Sequence, residues 1–219
     1  MASVVADAPG LRVSAVVLAA GRSTRMPGRH KLLLPVGGES VIRRTVRTLL
    51  AAGPQEVVVV TGCEQRAVEA ALAGLAVRLH ANPRFEEGQV TSVCAGVAAL
   101  SRAADAVLIC LGDMVLLRPE DYRELIAAFA GHPDKSMLVP CHGGRRGNPV
   151  VIAEWRLPEI LSGRSNPGCR RLIDENPDDV FVHESEHDRF VLDMDTPEDY
   201  ASALRRLDAD AALEARAHA

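Results

Sequence analysis

Short apolar runs recur along this chain and alternate with stretches whose apolar residues repeat at helical spacing. The runs at 13–18, 56–61 and 106–111 are built from Val, Leu, Ile and Ala with few polar interruptions. A strand with one wet face alternates apolar and polar residues, so an unbroken run requires cover on both faces. Further strands are predicted at 76–80, 136–140 and 149–152. Helical patterns fall between them. One starts at Ser40, whose hydroxyl can cap free amides, and stops at Gly53-Pro54. Others cover 64–72, 90–102 and 119–130, and the last starts at Pro197, which suits a first helical turn, and runs to ~206. Strands and helices taken in turn imply an α/β fold, a three-layer α/β/α sandwich around a mostly parallel sheet.

Composition narrows this further. The chain has 219 residues, enough for one large domain, which we place at 13–206. Residues 1–12 form an amino-terminal extension, and the Ala-rich tail 207–219 either prolongs the last helix or frays. With 47% apolar and only 3% aromatic residues, the core must be aliphatic. A net charge of −4 argues against a general nucleic-acid surface. The apolar runs fall short of the ~20 residues a membrane helix needs. The first residues have neither a basic leader nor an apolar core, so the expected location is cytoplasmic. Cys63, Cys94, Cys110, Cys141 and Cys169 are scattered and odd in number, which fits neither a disulfide framework nor a zinc site.

In sheets of this kind ligands gather beyond the carboxyl ends of the strands. The loops beginning at Ala19, Ala81 and Gly112 are the polar or Gly-rich ones. The first spans Leu18, Ala19, Ala20, Gly21, Arg22, Ser23, Thr24 and Arg25 and runs on to Lys31. At roughly 14 residues it exceeds the usual connection of about 2–6. Ala-Ala-Gly lets a nucleotide lie against bare backbone, while Arg22, Arg25 and Lys31 supply fixed positive charge to phosphates. The loop is neither a Walker A loop nor a dinucleotide fingerprint.

Four further segments carry chemistry. Gly112-Asp113-Met114 puts a carboxylate at the end of the most apolar strand, where Mg²⁺ bound to a nucleotide could be held; the plainer role is a local turn cap. In Asp193-Met194-Asp195-Thr196-Pro197-Glu198-Asp199, an extended chain points Asp193 and Asp195 to one side. Either could close the metal site or simply cap the helix, and Glu198 and Asp199 suit the helix start. The segment from Asn82 through Gly88 and Gln89 to Ser92 offers amide, hydroxyl and backbone groups to a base or ribose. Gly143-Gly144 signals a hairpin turn, which explains its glycines but not Arg145, Arg146, Gly147, Asn148 and Pro149 after it.

These segments, in this order over roughly residues 13–206, resemble the molybdenum cofactor nucleotidylyltransferases, the MobA-like NTP transferase family, and within it the cytidylyltransferases. The first loop with Lys31-Leu32-Leu33-Leu34-Pro35 resembles the family's L-A-A-G-x-S-x-R-M…K-L-L-x-P. The others resemble its G-D-M-P (with Val115 in place of proline), N-P-x-x-x-x-G-Q-x-x-S, G-R-R-G-N-P and D-I-D-T-P-E-D. The segment from Asn166 to Arg171 is similar to G-D-x-G-A-R, with Asn166 where the family has aspartate.

The resemblance implies a Rossmann-like sheet of the nucleotide-diphospho-sugar transferase type. It also implies transfer of a nucleoside monophosphate to a phosphate acceptor with release of pyrophosphate. Arg22, Lys31 and Asp113 would be catalytic. Leu18 to Ser23, Arg25, Lys31, Asn82, Gly88, Ser92 and Asp113 would bind nucleotide. Asp113, Asp193 and Asp195 would hold Mg²⁺, and Arg145 to Pro149 with Arg170 would receive the acceptor. The implied partners are CTP (alanine at position 20 goes with CTP, glycine with GTP), a molybdopterin-type phosphate and a molybdenum hydroxylase. The alternatives are transfer to a sugar phosphate or methylerythritol phosphate, a GTP-specific pterin enzyme, and a carrier that binds without turnover.

Overall fold

The unbroken apolar runs become the middle of the sheet. The computed structural model describes residues 10–26, 28, 30–162 and 169–217. Strand β1 (Val13–Ala19) is followed by a small ribbon of β2 (Pro35–Val36) and β3 (Glu39–Ser40), then helix α1 (Val41–Ala51). Next come β4 (Glu56–Thr61), α2 (Gln65–Ala71), β5 (Arg78–Ala81), α3 (Gln89–Ala98), β6 (Ala106–Leu111) and α4 (Pro119–Ala130). The second half adds β7 (Met137–His142), β8 (Arg145–Arg146), β9 (Val150–Ala153), α5 (Leu157–Leu161), α6 (Arg170–Glu175), β10 (Val180–Glu184) and α7 (Pro197–Ala217). The sheet runs β10-β7-β9-β6-β1-β4-β5, with β8 paired to β7.

β1 lies between β4 and β6, parallel to both, with Val16 beside Val58 and Ile109. Its side chains divide by parity, as the period of two requires. Ala15, Val17 and Ala19 join the core beneath α1, α2 and α4, while Val16 and Leu18 join the core beneath α3, α5 and α6. α3 packs closest. A Cβ on Gly96 would lie 2.2 Å from a methyl of Val16, so even an alanine there would overpack the layer, at a cost of about 1–3 kcal/mol.

The mixed α/β sandwich matches the sequence expectation, and the departures have local causes. β5 begins later than expected and is an exposed edge strand, with no second face to cover. α3 ends at Ala98, short of the expected 102, because the Ser101 and Arg102 amides turn onto the buried Glu56 carboxylate. β9 runs antiparallel to β6 and β7, and β10, parallel to β7, was not predicted. α7 continues through the Ala-rich tail to Ala217. At its start Thr196 and Asp199 cap each other, with Asp199 accepting from the Thr196 amide at 2.8 Å and donating its own amide to the Thr196 hydroxyl at 3.2 Å. Among the described residues no helix is long and apolar enough to cross a membrane.

Candidate active site

A cleft of about 460 Å³ opens beyond the carboxyl ends of β1 and β6, within the size range of small-molecule sites. Its floor is bare backbone and small side chains. Ala20 is buried, and the Gly112 amide donates to the Leu18 carbonyl at 3.1 Å. A Cβ on Gly112 would meet Ile42 at 2.9 Å and that same carbonyl at 3.0 Å, so only glycine lets Asp113 leave β6 this close to β1. The side wall stacks Ala20, Gly62 and Phe85; a Cβ on Gly62 would lie 2.7 Å from the Phe85 ring. Phe85 leads into the first turn of α3, where Gly88, Gln89 and Ser92 line the cleft.

Cation and carboxylates meet at the inner end. Lys31 enters on a short helical turn (Lys31–Leu33), its amide donating to the Ser23 hydroxyl at 3.1 Å. Its ammonium forms a close ion pair with Asp113 and a second, at 2.8 Å, with Asp195. Arg25 takes the other Asp195 oxygen, also at 2.8 Å. Asp113 is only 4% exposed. Burial pushes its carboxyl above the usual range, the Lys31 ammonium pulls it back, and the Asp193 charge adds to the rise. For Lys31, burial opposes the charged form, but the two carboxylates outweigh it and hold the amine above its ordinary value. Lys31, expected at the phosphates, thus meets Asp113 and Asp195, expected at the metal, across separations of 82 and 164 residues.

Other expected residues have different surroundings. Arg22 reaches over the cleft to Glu86 at 3.0 Å, and both ends are exposed. Asn82 is buried and turned inward, donating to the Thr91 and Ser92 hydroxyls at 2.9 and 3.0 Å and accepting from the Arg84 amide. It braces the loop ahead of α3 and does not line the cleft. Ser23 faces a neighbouring surface hollow with His30 and Cys63. The acceptor set Arg145 to Pro149 lies outside the cleft lining. Arg145 donates to the Val191 carbonyl at 3.2 Å, and Arg146 forms a close pair with Asp174. Arg170 opens α6 and is exposed, while Asn166 and Gly168, singled out with it, lie outside the described residues.

Phe85 and Glu86 line the cleft without having been singled out by sequence; an aromatic beside an acid in a loop carries no signal of its own. Among the described residues, the one trio of possible metal-ligand atoms within 4.8 Å of one another is Asp121, Glu124 and His187. It lies outside the cleft lining, and the Arg189 guanidinium already grips both Asp121 oxygens. In the cleft, by contrast, Asp113 and Asp195 meet on the Lys31 ammonium.

A family model described as the MobA-like NTP transferase domain matches residues 15–180. The chain belongs to this family. It is a nucleotidyltransferase of the MobA-like type, as the resemblance implied. It is similar to the purine catabolism protein PucB of Bacillus subtilis, 30% identical over 88% of this chain and 96% of that one. It is also similar to the molybdenum cofactor cytidylyltransferase of Escherichia coli, 24% identical over 89% and 96%. Among solved structures, a nucleotidyl transferase from Methanothermobacter thermautotroptrophicus superposes with a TM-score of 0.78 at 28% identity, covering 90% of this chain and 98% of that one.

Proposed function

We propose that this nucleotidyltransferase joins CMP from CTP to the phosphate of a molybdenum-carrying pterin and releases pyrophosphate. The observation that carries the reading is the meeting of Lys31, Asp113 and Asp195 beneath the Ala20-Gly21 backbone. The volume of the cleft suits a nucleotide, and Arg22, Arg25 and Lys31 line it, where they would meet a triphosphate. The acceptor assignment rests on the Gly144-Arg145-Arg146-Gly147-Asn148-Pro149 motif and the name of the Escherichia coli relative. The base preference rests on Ala20.

The reaction forms one bond from an acceptor phosphate oxygen to the α-phosphorus and breaks the bond from that phosphorus to the bridging β-oxygen. It requires in-line placement and positive charge where oxygens gather negative charge, and little proton transfer. Lys31 and Arg22 would neutralise the triphosphate, with Arg22 leaving Glu86. Gly88 and Ser92, at the amino end of α3, would meet base or ribose, and Arg145, Arg146 and Arg170 would draw in the acceptor phosphate. The donor set suits a divalent ion, because its hard carboxylate oxygens already hold two of the chain's own cations. Asp113 with Asp193 or Asp195 would hold Mg²⁺, which supplies charge neutralisation to the phosphate oxygens when bound. A cytoplasmic setting and a molybdenum hydroxylase as recipient of the product go with this reading.

The test is pyrophosphate release from CTP, GTP and ATP with Mg²⁺, in the presence and absence of molybdenum-loaded molybdopterin. Release that requires the pterin and favours CTP supports the proposal. Efficient use of a sugar phosphate or methylerythritol phosphate in its place would overturn the acceptor. Binding of nucleotide without pyrophosphate from any triphosphate would make the protein a carrier.

A further inference from the structure

The hairpin motif does more than present arginines. The Asn148 amide donates to the Phe190 carbonyl at 2.8 Å, and Arg145 donates to the next carbonyl, that of Val191. Gly147 lies closer still: a Cβ there would sit 2.3 Å from the Phe190 oxygen and 2.7 Å from its carbonyl carbon. The hairpin therefore rests on the backbone of residues 190–191, and Asp193 follows almost at once. From the other side Arg189 clamps the same segment through a two-pronged pair with Asp121, at 2.8 and 2.5 Å. Asp121 is 1% exposed, and Phe190 is fully buried. At the far end the Asp195 amide is fixed on Asp199 at 3.2 Å. The short stretch bearing Asp193 and Asp195 is thus held at both ends.

We infer that Gly147, with the main-chain amide of residue 148, is a positioning element: the two seat the 190–191 backbone and so set Asp193 and Asp195 relative to Asp113. This rests on the function proposed above. It gives the Gly-Asn half of the motif to the carboxylate side of the site and leaves the two arginines to the acceptor. A methyl group on residue 147 forces the 190 backbone back by about 1 Å to reach ordinary contact. Displacement of reacting groups by that distance costs on the order of 100-fold in rate.

The test compares the full-length wild type with Gly147→Ala and with Arg189→Lys, which keeps the charge but loses the fork. Mn²⁺ binding in the presence of CTP is followed by electron paramagnetic resonance, with kcat and the acceptor KM measured alongside. For Gly147→Ala the expected result is Mn²⁺ affinity weakened about 10-fold or more and kcat lowered by on the order of 100-fold, partly restored by excess metal, with acceptor KM changed less than about 3-fold. Arg189→Lys should shift Mn²⁺ affinity in the same direction by a smaller factor. Wild-type Mn²⁺ affinity in Gly147→Ala, with only the acceptor KM raised, overturns the inference. If Gly147→Ala does not fold, unchanged Mn²⁺ binding in Arg189→Lys overturns it instead. A wild type that binds no Mn²⁺ with CTP sinks the proposed function itself.

Discussion

The proposed nucleotide side and the proposed acceptor side of this enzyme are built on opposite plans. On the first, Ala20, Lys31, Asp113 and the start of α3 arrive after parallel strands β1, β6 and β5 of one sheet, and they share one cleft. On the second, Arg145 and Arg146 sit on a two-residue strand of a local hairpin, outside that cleft and engaged with Val191 and Asp174. Parallel strands send distant sequence to one edge, so chemistry gathers there without local signals. A hairpin delivers only its own neighbours, and its charges are held by whatever lies beside it. The first side is a preformed pocket, whereas the second, on the proposed reading, would become a site only when an incoming phosphate competes for its arginines.

Experiments that separate the two sides follow from the energetics. Removing the shared cation should hurt most: Lys31→Met is expected to lower kcat by about 100- to 1,000-fold in the pyrophosphate assay. It leaves Asp113 buried without its partner, so the same variant should also melt earlier. A near-wild-type kcat would remove Lys31 from the chemistry and dissolve the contrast.

A scaffold control comes next. Glu56 lies at the opposite end of the sheet, where Arg78, the Ser101 hydroxyl and amide and the Arg102 amide hold its buried carboxyl at about 2 despite the cost of burial. Because the folded value is depressed, its stabilisation is complete above the ordinary value of about 4.5 and is lost as pH falls from there to about 2. Glu56→Gln should cost on the order of 2 kcal/mol in urea unfolding at pH 7, allowing for solvent around the Arg78 end, and the gap should close as the pH falls to 2. Kinetics of the folded variant should be unaffected, whereas a changed nucleotide KM would tie this end of the sheet to the cleft.

On the acceptor side, Arg146→Gln should raise the acceptor KM about 10-fold with kcat and nucleotide KM little changed. A fall in kcat of the Lys31→Met size would mean that the hairpin arginines act in the transition state and the two sides are one. The smallest effect belongs to the exposed Arg22–Glu86 pair. Glu86→Gln should free Arg22 and lower nucleotide KM by at most about 3-fold, in line with surface ion pairs. A rise of that size would place Glu86 itself on the nucleotide.

Much of this architecture could be read from the chain. β4, β6 and α4 fall where the apolar runs and Pro119 place them, because an unbroken apolar run needs cover on both faces and proline suits a first helical turn. The Ser40 cap is equally local, its hydroxyl accepting from the Arg43 amide at 3.4 Å. β10 escaped notice because it is a half-buried edge strand carrying His183 and Glu184, with no continuous apolar run to mark it. The site shows the same split. The loop, the aspartates and the hairpin were legible as types of residue. The inward turn of Asn82, the part of Phe85 in the wall and the Asp121–Arg189 clamp were not.

Local sequence, then, determined the central elements and the chemical inventory, since hydrophobic period, caps and turn residues act within a few positions of one another. Tertiary structure alone decided that β9 runs against its neighbours, that Lys31 closes on Asp113 and Asp195, and that Gly147 presses against Phe190. The reason is physical: an ion pair or a close backbone contact depends on distance in space, and distance across 82 or 164 residues exists only once the sheet has assembled.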